Sequence, residues 1–147
     1  MTFTPIPQFN MLIDTNILVY SVNLDSPKYK QAISFISENI GQMEIAHQNI
    51  LEAIRVLTHK KFSHSKRLKE ALSTTLSITR SCSLISPNQS TLYLALELIK
   101  KHKLSGNRIF DAYLAATALS NEIDTIATDN THDFKKFKEI NLINPFI

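Results

Sequence analysis

The sequence predicts an α/β fold: a mostly parallel sheet covered by helices on both faces. Three observations carry this. The chain has 147 residues, 44% of them hydrophobic and 20% charged, enough apolar content for the core of a single domain spanning 1–147. It contains only two glycines and five prolines, too few for the many tight turns of a sandwich or barrel. Short apolar runs alternate with longer segments of helical period, the pattern of βα units.

Met11-Leu12-Ile13 is the first such run, too short for a core helix and suited to a buried strand. Ser26-Pro27 pairs a capping serine with a proline at the first helical position, and Ala32, Ile33, Ile36 and Ile40 form the stripe that follows. Glu44-Ile45-Ala46 is a second strand, and the helix from Asn49 to Thr58 sets Ile50, Ala53, Ile54 and Leu57 on one face. Arg67 to Arg80 is helical through Leu68, Ala71, Leu72, Leu76 and Ile78, and Ser83-Leu84-Ile85 is the next strand. Ser86-Pro87-Asn88-Gln89 reads as a capping box opening a helix through Leu92, Leu96 and Ile99. That helix ends in Lys100-Lys101-His102-Lys103, cations suited to a helix C-terminus. An alanine-rich helix runs from Arg108 to Asn121, followed by strands at Thr125 to Thr128 and Ile140 to Ile143.

Composition narrows the setting. The lone Cys82 cannot form an internal disulfide, which points to a reducing cytoplasm with the thiol as a small core group. No stretch reaches the roughly 20 apolar residues of a membrane helix, and the lead 1–9 lacks the basic and apolar regions of a signal peptide. His47, His59, His64, His102 and His132 show no zinc spacing, two isolated glycines cannot build a phosphate loop, and Ser63 and Ser65 have no nucleophile elbow around them.

The acidic residues are more informative. In open α/β sheets ligands bind beyond the carboxyl ends of the strands. Asp14 directly follows the first strand and Asp129 the fourth, so parallel neighbours would bring both to one sheet edge. Glu52 and Asp111 fall on helices expected to be largely buried. Each has an ordinary alternative: Asp14 as a helix cap, Glu52 facing solvent, Asp111 favoured by the first-turn macrodipole. Together, four carboxylates would repel one another unless a cation neutralised them, and an all-oxygen site suits Mg²⁺ or Mn²⁺.

Leu12-Ile13-Asp14-Thr15-Asn16, with Glu52 on a helix, resembles the PIN domain. So do Phe110-Asp111-Ala112-Tyr113-Leu114-Ala115-Ala116-Thr117-Ala118 and Ile126-Ala127-Thr128-Asp129-Asn130 followed by Asp133-Phe134. The motifs stand in family order from Met11 to about Pro145, with closest likeness to VapC-like toxins of prokaryotic toxin–antitoxin pairs. The resemblance implies a three-layer α/β/α sandwich and Mg²⁺- or Mn²⁺-dependent cleavage of single-stranded RNA to 3′-hydroxyl and 5′-phosphate ends. It implies a metal centre of Asp14, Glu52, Asp111 and Asp129. Asn16 and Thr128 would orient those ligands, and Asp133 would hold a second metal or only its loop. It further implies a VapB-like antitoxin as partner, a homodimer, and no membrane. The lead 1–9 departs from relatives that begin almost at the first strand.

Two other classes compete. A PIN-like RNA-processing or RNA-binding adaptor would keep the fold and lose the acids. A haloacid-dehalogenase-type phosphatase needs Asp-x-Asp where this chain has Asp14-Thr15-Asn16. Of three basic clusters (Lys60, Lys61, Lys66, Arg67, Lys69; Lys100, Lys101, Lys103; Lys135, Lys136, Lys138), the third follows the acidic loop and is the one expected to meet a phosphate backbone. Phe62, Tyr20 and Tyr113 are candidate base-stacking aromatics, with core packing as the alternative. The net charge of +3 becomes +7 once the four acids are set aside, so an acidic centre sits in a basic remainder.

Overall fold

The computed structural model describes residues 10–62 and 65–147; the lead 1–9, Ser63 and His64 lie outside the described residues. Strands β1 (Met11–Ile13), β2 (Met43–Ala46), β3 (Ser83–Ile85), β4 (Thr125–Ala127) and β5 (Asn141–Ile143) form one sheet in the order β3-β2-β1-β4-β5. Every pairing is parallel, with Leu12 opposite both Glu44 and Ile126. The chain builds outward from β1 to one side and then returns to add β4 and β5 on the other. β1 and β4 therefore flank the point where strand order reverses, which is where open sheets leave a crevice.

Side-chain alternation along the strands divides the core in two. Met11, Ile13, Met43 and Ile45 pack against helices α1 (Thr15–Val22), α2 (Tyr29–Glu38), α3 (His47–Thr58) and α4 (Leu68–Thr79). Leu12, Ala46, Ile85 and Ile126 pack against α5 (Gln89–His102), α6 (Arg108–Ser120) and the short α7 (Thr131–Phe134). This is the three-layer sandwich expected. In α6 the buried residues Ala112, Ala115, Ala116 and Ala118 keep the helix close to the sheet, and that approach brings Asp111 to the sheet edge.

Several helix boundaries differ from the sequence expectation for local reasons. Asn88 replaces Ser86 as the cap of α5, because its Oδ1 accepts from the Ser90 amide at 2.9 Å while the Asn88 amide donates to Thr91 Oγ1 at 2.9 Å. Ser26 caps a turn rather than α2: its Oγ accepts from the Lys28 amide at 3.1 Å, and the helix starts at Tyr29. Ile40 lies beyond α2 and is 65% exposed. Leu68, Leu72 and Leu76 face outward, as do Leu92 and Leu96; Ala71 and Thr75 take the buried face of α4, Thr91, Ala95 and Leu98 that of α5. Cys82 is half-buried beside its own chain's core, and burial pushes its thiol up to about 11, which keeps it in the neutral thiol form near pH 7.

Candidate active site

Asp14 leaves β1 at its carboxyl end and caps α1, with Oδ1 accepting from the Thr15 amide at 2.8 Å. Its other oxygen accepts from the Thr128 hydroxyl at 2.8 Å and from Asn16 Nδ2 at 3.4 Å. The Thr128 hydroxyl also accepts from Asn16 Nδ2 at 3.1 Å and from the Asn130 amide at 2.9 Å, and Asn16 Oδ1 accepts from the Asp129 amide at 3.2 Å. Asn16 and Thr128 thus lock the ends of β1 and β4 together around one carboxylate. Burial raises the Asp14 pKa, its hydrogen bonds from Thr128 and Thr15 oppose the rise, and the charges of Glu52 and Asp133 add to it.

Glu52 reaches the same place from α3. Thr15 Oγ1 donates to its Oε2 at 3.1 Å and Gln48 Nε2 to its Oε1 at 3.0 Å. Gln48 Nε2 lies within 3.2 Å of the Phe110 carbonyl as well, so one amide ties α3 to the first turn of α6. Asn49 Oδ1 accepts from the Ala46 amide at 3.1 Å, fixing the start of α3. Asp111 completes the group from α6. Its pKa is raised to about 6, first by burial and then by Asp133, with Lys136 opposing and Asp14 and Glu52 adding to the rise.

Asp14, Glu52 and Asp111 line one cleft of about 310 Å³ with Asn16, Tyr20 and Asn130. Asp129 does not line this cleft, although its partner Tyr20 does. Its Oδ2 accepts from Lys28 Nζ at 2.5 Å and from Tyr20 OH at 2.9 Å. Lys28 Nζ lies 5.1 Å from the Tyr20 ring centre and 5.4 Å from that of Phe146, which meets Tyr20 edge-on. Partial burial would raise the Asp129 pKa, but the Lys28 and Tyr20 hydrogen bonds and the Lys28 charge bring it below the ordinary value. Asp133 accepts from Asn130 Nδ2 at 2.5 Å and is close enough to press on both Asp14 and Asp111.

Of the basic cluster, Lys136 bears on Asp111 and stands 5.6 Å from the Phe137 ring centre, while Lys135 and Lys138 are exposed. His132 is exposed, Phe62 packs partly against the core, and Tyr20 serves Asp129. Thr15, Gln48 and Lys28 were not singled out in the sequence. Gln48 stands one helical turn before Glu52, a spacing that marks it as a partner; Lys28 is 101 residues from Asp129, with no local signal.

The donor set suits a hard cation. It is all carboxylate and hydroxyl oxygen, and two of its acids, Asp14 and Asp111, have raised pKa values that a nearby cation would relieve. Among the described residues no three His, Cys, Asp or Glu side chains are grouped closely enough, as placed, to hold a metal ion by themselves. Acids spread along cleft walls fit Mg²⁺, which keeps several of its waters.

An α/β sandwich that gathers carboxylates at the switch point of its sheet defines the class. The PIN domain profile matches residues 11–140, and the chain belongs to the PIN domain family. It is 29% identical over 130 residues to ribonuclease VapC24 of Mycobacterium tuberculosis, covering 85% of this chain and 89% of that one. Its fold is similar to that of VapBC from Salmonella typhimurium bound to DNA, with a TM-score of 0.71 at 15% identity over 93% of this chain and 98% of the other. It is also similar to VapBC2 of Rickettsia felis bound to a promoter DNA fragment (TM-score 0.68, 20% identity, 91% and 97% coverage). A third likeness is to VapC20 of M. tuberculosis, a sarcin–ricin loop-cleaving toxin (TM-score 0.62, 13% identity, 80% and 87% coverage).

Proposed function

We propose that this protein is a divalent-metal-dependent endoribonuclease and the toxin of a toxin–antitoxin module. One observation carries the reading: Asp14, Glu52 and Asp111 share a cleft at the strand switch point of a PIN-family chain. The likeness to a named ribonuclease over most of both chains supports it. These three acids would hold Mg²⁺ or Mn²⁺, with Asp133 beside them and Asp129 joining when Lys28 lets go. When bound, such a cation activates water and stabilises the oxygens of an in-line phosphodiester displacement.

The chain's own residues set the geometry. Asn16 and Thr128 hold one Asp14 oxygen and the Thr15 amide the other, while the Thr15 hydroxyl and Gln48 hold one Glu52 oxygen each. Such fixed carboxylates need no reorganisation during reaction. Lys136, facing the acids, offers a cation to the phosphate backbone while Lys135 and Lys138 extend the basic surface.

Structures of related fold are VapBC complexes, which supports a VapB-like antitoxin as the partner of this chain. The outward-facing leucines of α4 and α5 supply apolar surface for the expected homodimer. A cytoplasmic setting follows from an intracellular RNA target, and among the described residues no helix is long and apolar enough to cross a membrane.

The test is cleavage of single-stranded RNA in Mg²⁺ or Mn²⁺ and in excess chelator. Cleavage should require the metal and vanish in Asp111→Asn. Full activity in Asp111→Asn would break this reading of the site, and no cleavage by the wild type in either metal would favour an RNA-binding adaptor. Growth arrest on expression, relieved by the product of a short neighbouring gene, tests the toxin role.

A further inference from the structure

Glu52 and Asp111 have a second side. Both also line a larger cleft of about 720 Å³, so they form the wall between it and the acidic cleft. The helical period of α3 explains the arrangement. Gln48 and Glu52 lie one turn apart on the row that meets Thr15 and the Phe110 carbonyl. His47, Leu51 and Arg55 lie on the adjacent i, i+4, i+8 row and line the larger cleft. Across from them stand Asn107 and Phe110 of the α6 start. Leu51 is 67% and Phe110 56% exposed, large apolar groups left on the surface directly beside charged ones.

We propose that this larger cleft receives an unpaired nucleobase flanking the phosphodiester to be cut; the inference rests on the nuclease reading and adds to it a base-binding subsite. Phe110 and Leu51 supply the apolar faces between which a splayed base stacks, and Arg55 supplies a cation for the neighbouring phosphate. His47 and Asn107 offer the edge hydrogen bonds that discriminate among bases. The shared wall sets the register: a base seated here places its adjoining phosphate beside Glu52 and Asp111. A continuous duplex keeps its bases stacked and cannot insert one.

The chain contains no tryptophan, so Phe110→Trp installs a single reporter in the cleft. It is titrated with a short single-stranded oligoribonucleotide and with an abasic chain of equal length and charge, both in Ca²⁺. Quenching by the RNA, with binding of the abasic chain about 10-fold weaker, supports the cleft as a base site. Equal quenching by both, or no quenching, overturns it. So does a signal that changes with protein concentration alone, which would mean that a second copy covers the cleft. Leu51→Trp on the facing wall gives the same readout should Phe110→Trp fold poorly. Cleavage by the wild type is scored separately in Mg²⁺. Base-dependent quenching without cleavage breaks the nuclease reading and keeps the base site; cleavage without base-dependent quenching does the reverse.

Discussion

Asp14 and Asp129 are the same residue type, at the same sheet edge, one residue and two residues past adjacent parallel strands, yet their surroundings tune them in opposite directions. Asp14 is 8% exposed and has only neutral donors, with other acids nearby, so its pKa is raised. Asp129 has a lysine and a phenol within hydrogen-bond reach, so its pKa is lowered. The raised Asp14 carboxylate draws on no cation of the chain among the causes of its shift, whereas Asp129 is paired with Lys28. Position at the carboxyl edge therefore does not set a carboxylate's pKa; its neighbours do.

The largest expected effect comes from breaking the externally compensated side. Asp14→Asn and Asp111→Asn should each lower RNA cleavage by roughly 1,000-fold, the order expected when a site loses its hold on a catalytic cation. Asp129→Asn should cost on the order of 10-fold, because its charge is already matched by Lys28. Initial rates on one RNA at a Mn²⁺ concentration that saturates the wild type would show the ranking, and equal losses at Asp14 and Asp129 would erase the distinction.

Metal-free stability should move in the other sense. At pH 8 the Asp111 charge is held against a pKa raised to about 6, mainly by burial. Discounting for its partial exposure, Asp111→Asn should stabilise by about 1 kcal/mol, or roughly 2–4 °C in Tm for a chain of this size. Thermal melts of Asp111→Asn and wild type in chelator, at pH 8, provide the check. A fall in Tm would mean that the Asp111 charge is favourable as it stands.

The same shifts give a pH dependence. Carboxylates with raised folded pKa values contribute stability that is full below the unfolded value near 3.8 and is lost as pH rises through about 6 for Asp111. Metal-free stability from these groups therefore declines between roughly pH 4 and 7. Mn²⁺ binds the ionised form, so its stabilisation should be small at pH 5 and large at pH 7.5. Differential scanning at the two pH values, with and without Mn²⁺, would show it. The smallest effect concerns the internal cation: Lys28→Ala should raise Mn²⁺ affinity only a few-fold, because a partly exposed ion pair is weak. Titration of the variant beside wild type measures it, and a weakened affinity would assign Lys28 a supporting role.

Much of this was legible in the residues. The strands are three or four residues long and buried on both faces where they pack centrally, so plain apolar runs such as Met11-Leu12-Ile13 marked them. The acids at their ends, and Glu52 and Asp111 on the helices, stood out as polar groups in apolar surroundings. The Lys28–Asp129 pair did not, because a contact across 101 residues leaves no periodic trace. Helical periodicity marked leucines 68, 72 and 76 as one face without telling whether anything within the chain covers it; Ala71 and Thr75 took the core side instead. The cap of α5 moved from Ser86 to Asn88 because two candidate caps lay two residues apart, a choice that tertiary contacts of Asn88 with the Ser120 carbonyl at 2.9 Å help to make.

The most direct measurement is a calorimetric Mn²⁺ titration of wild type, Asp14→Asn and Asp129→Asn at pH 7.5, without RNA. Wild type and Asp129→Asn should bind Mn²⁺ with similar affinity, and Asp14→Asn should show no saturable binding. Undiminished binding by Asp14→Asn, or none by the wild type, would contradict a metal centre built on the carboxylate at the end of β1.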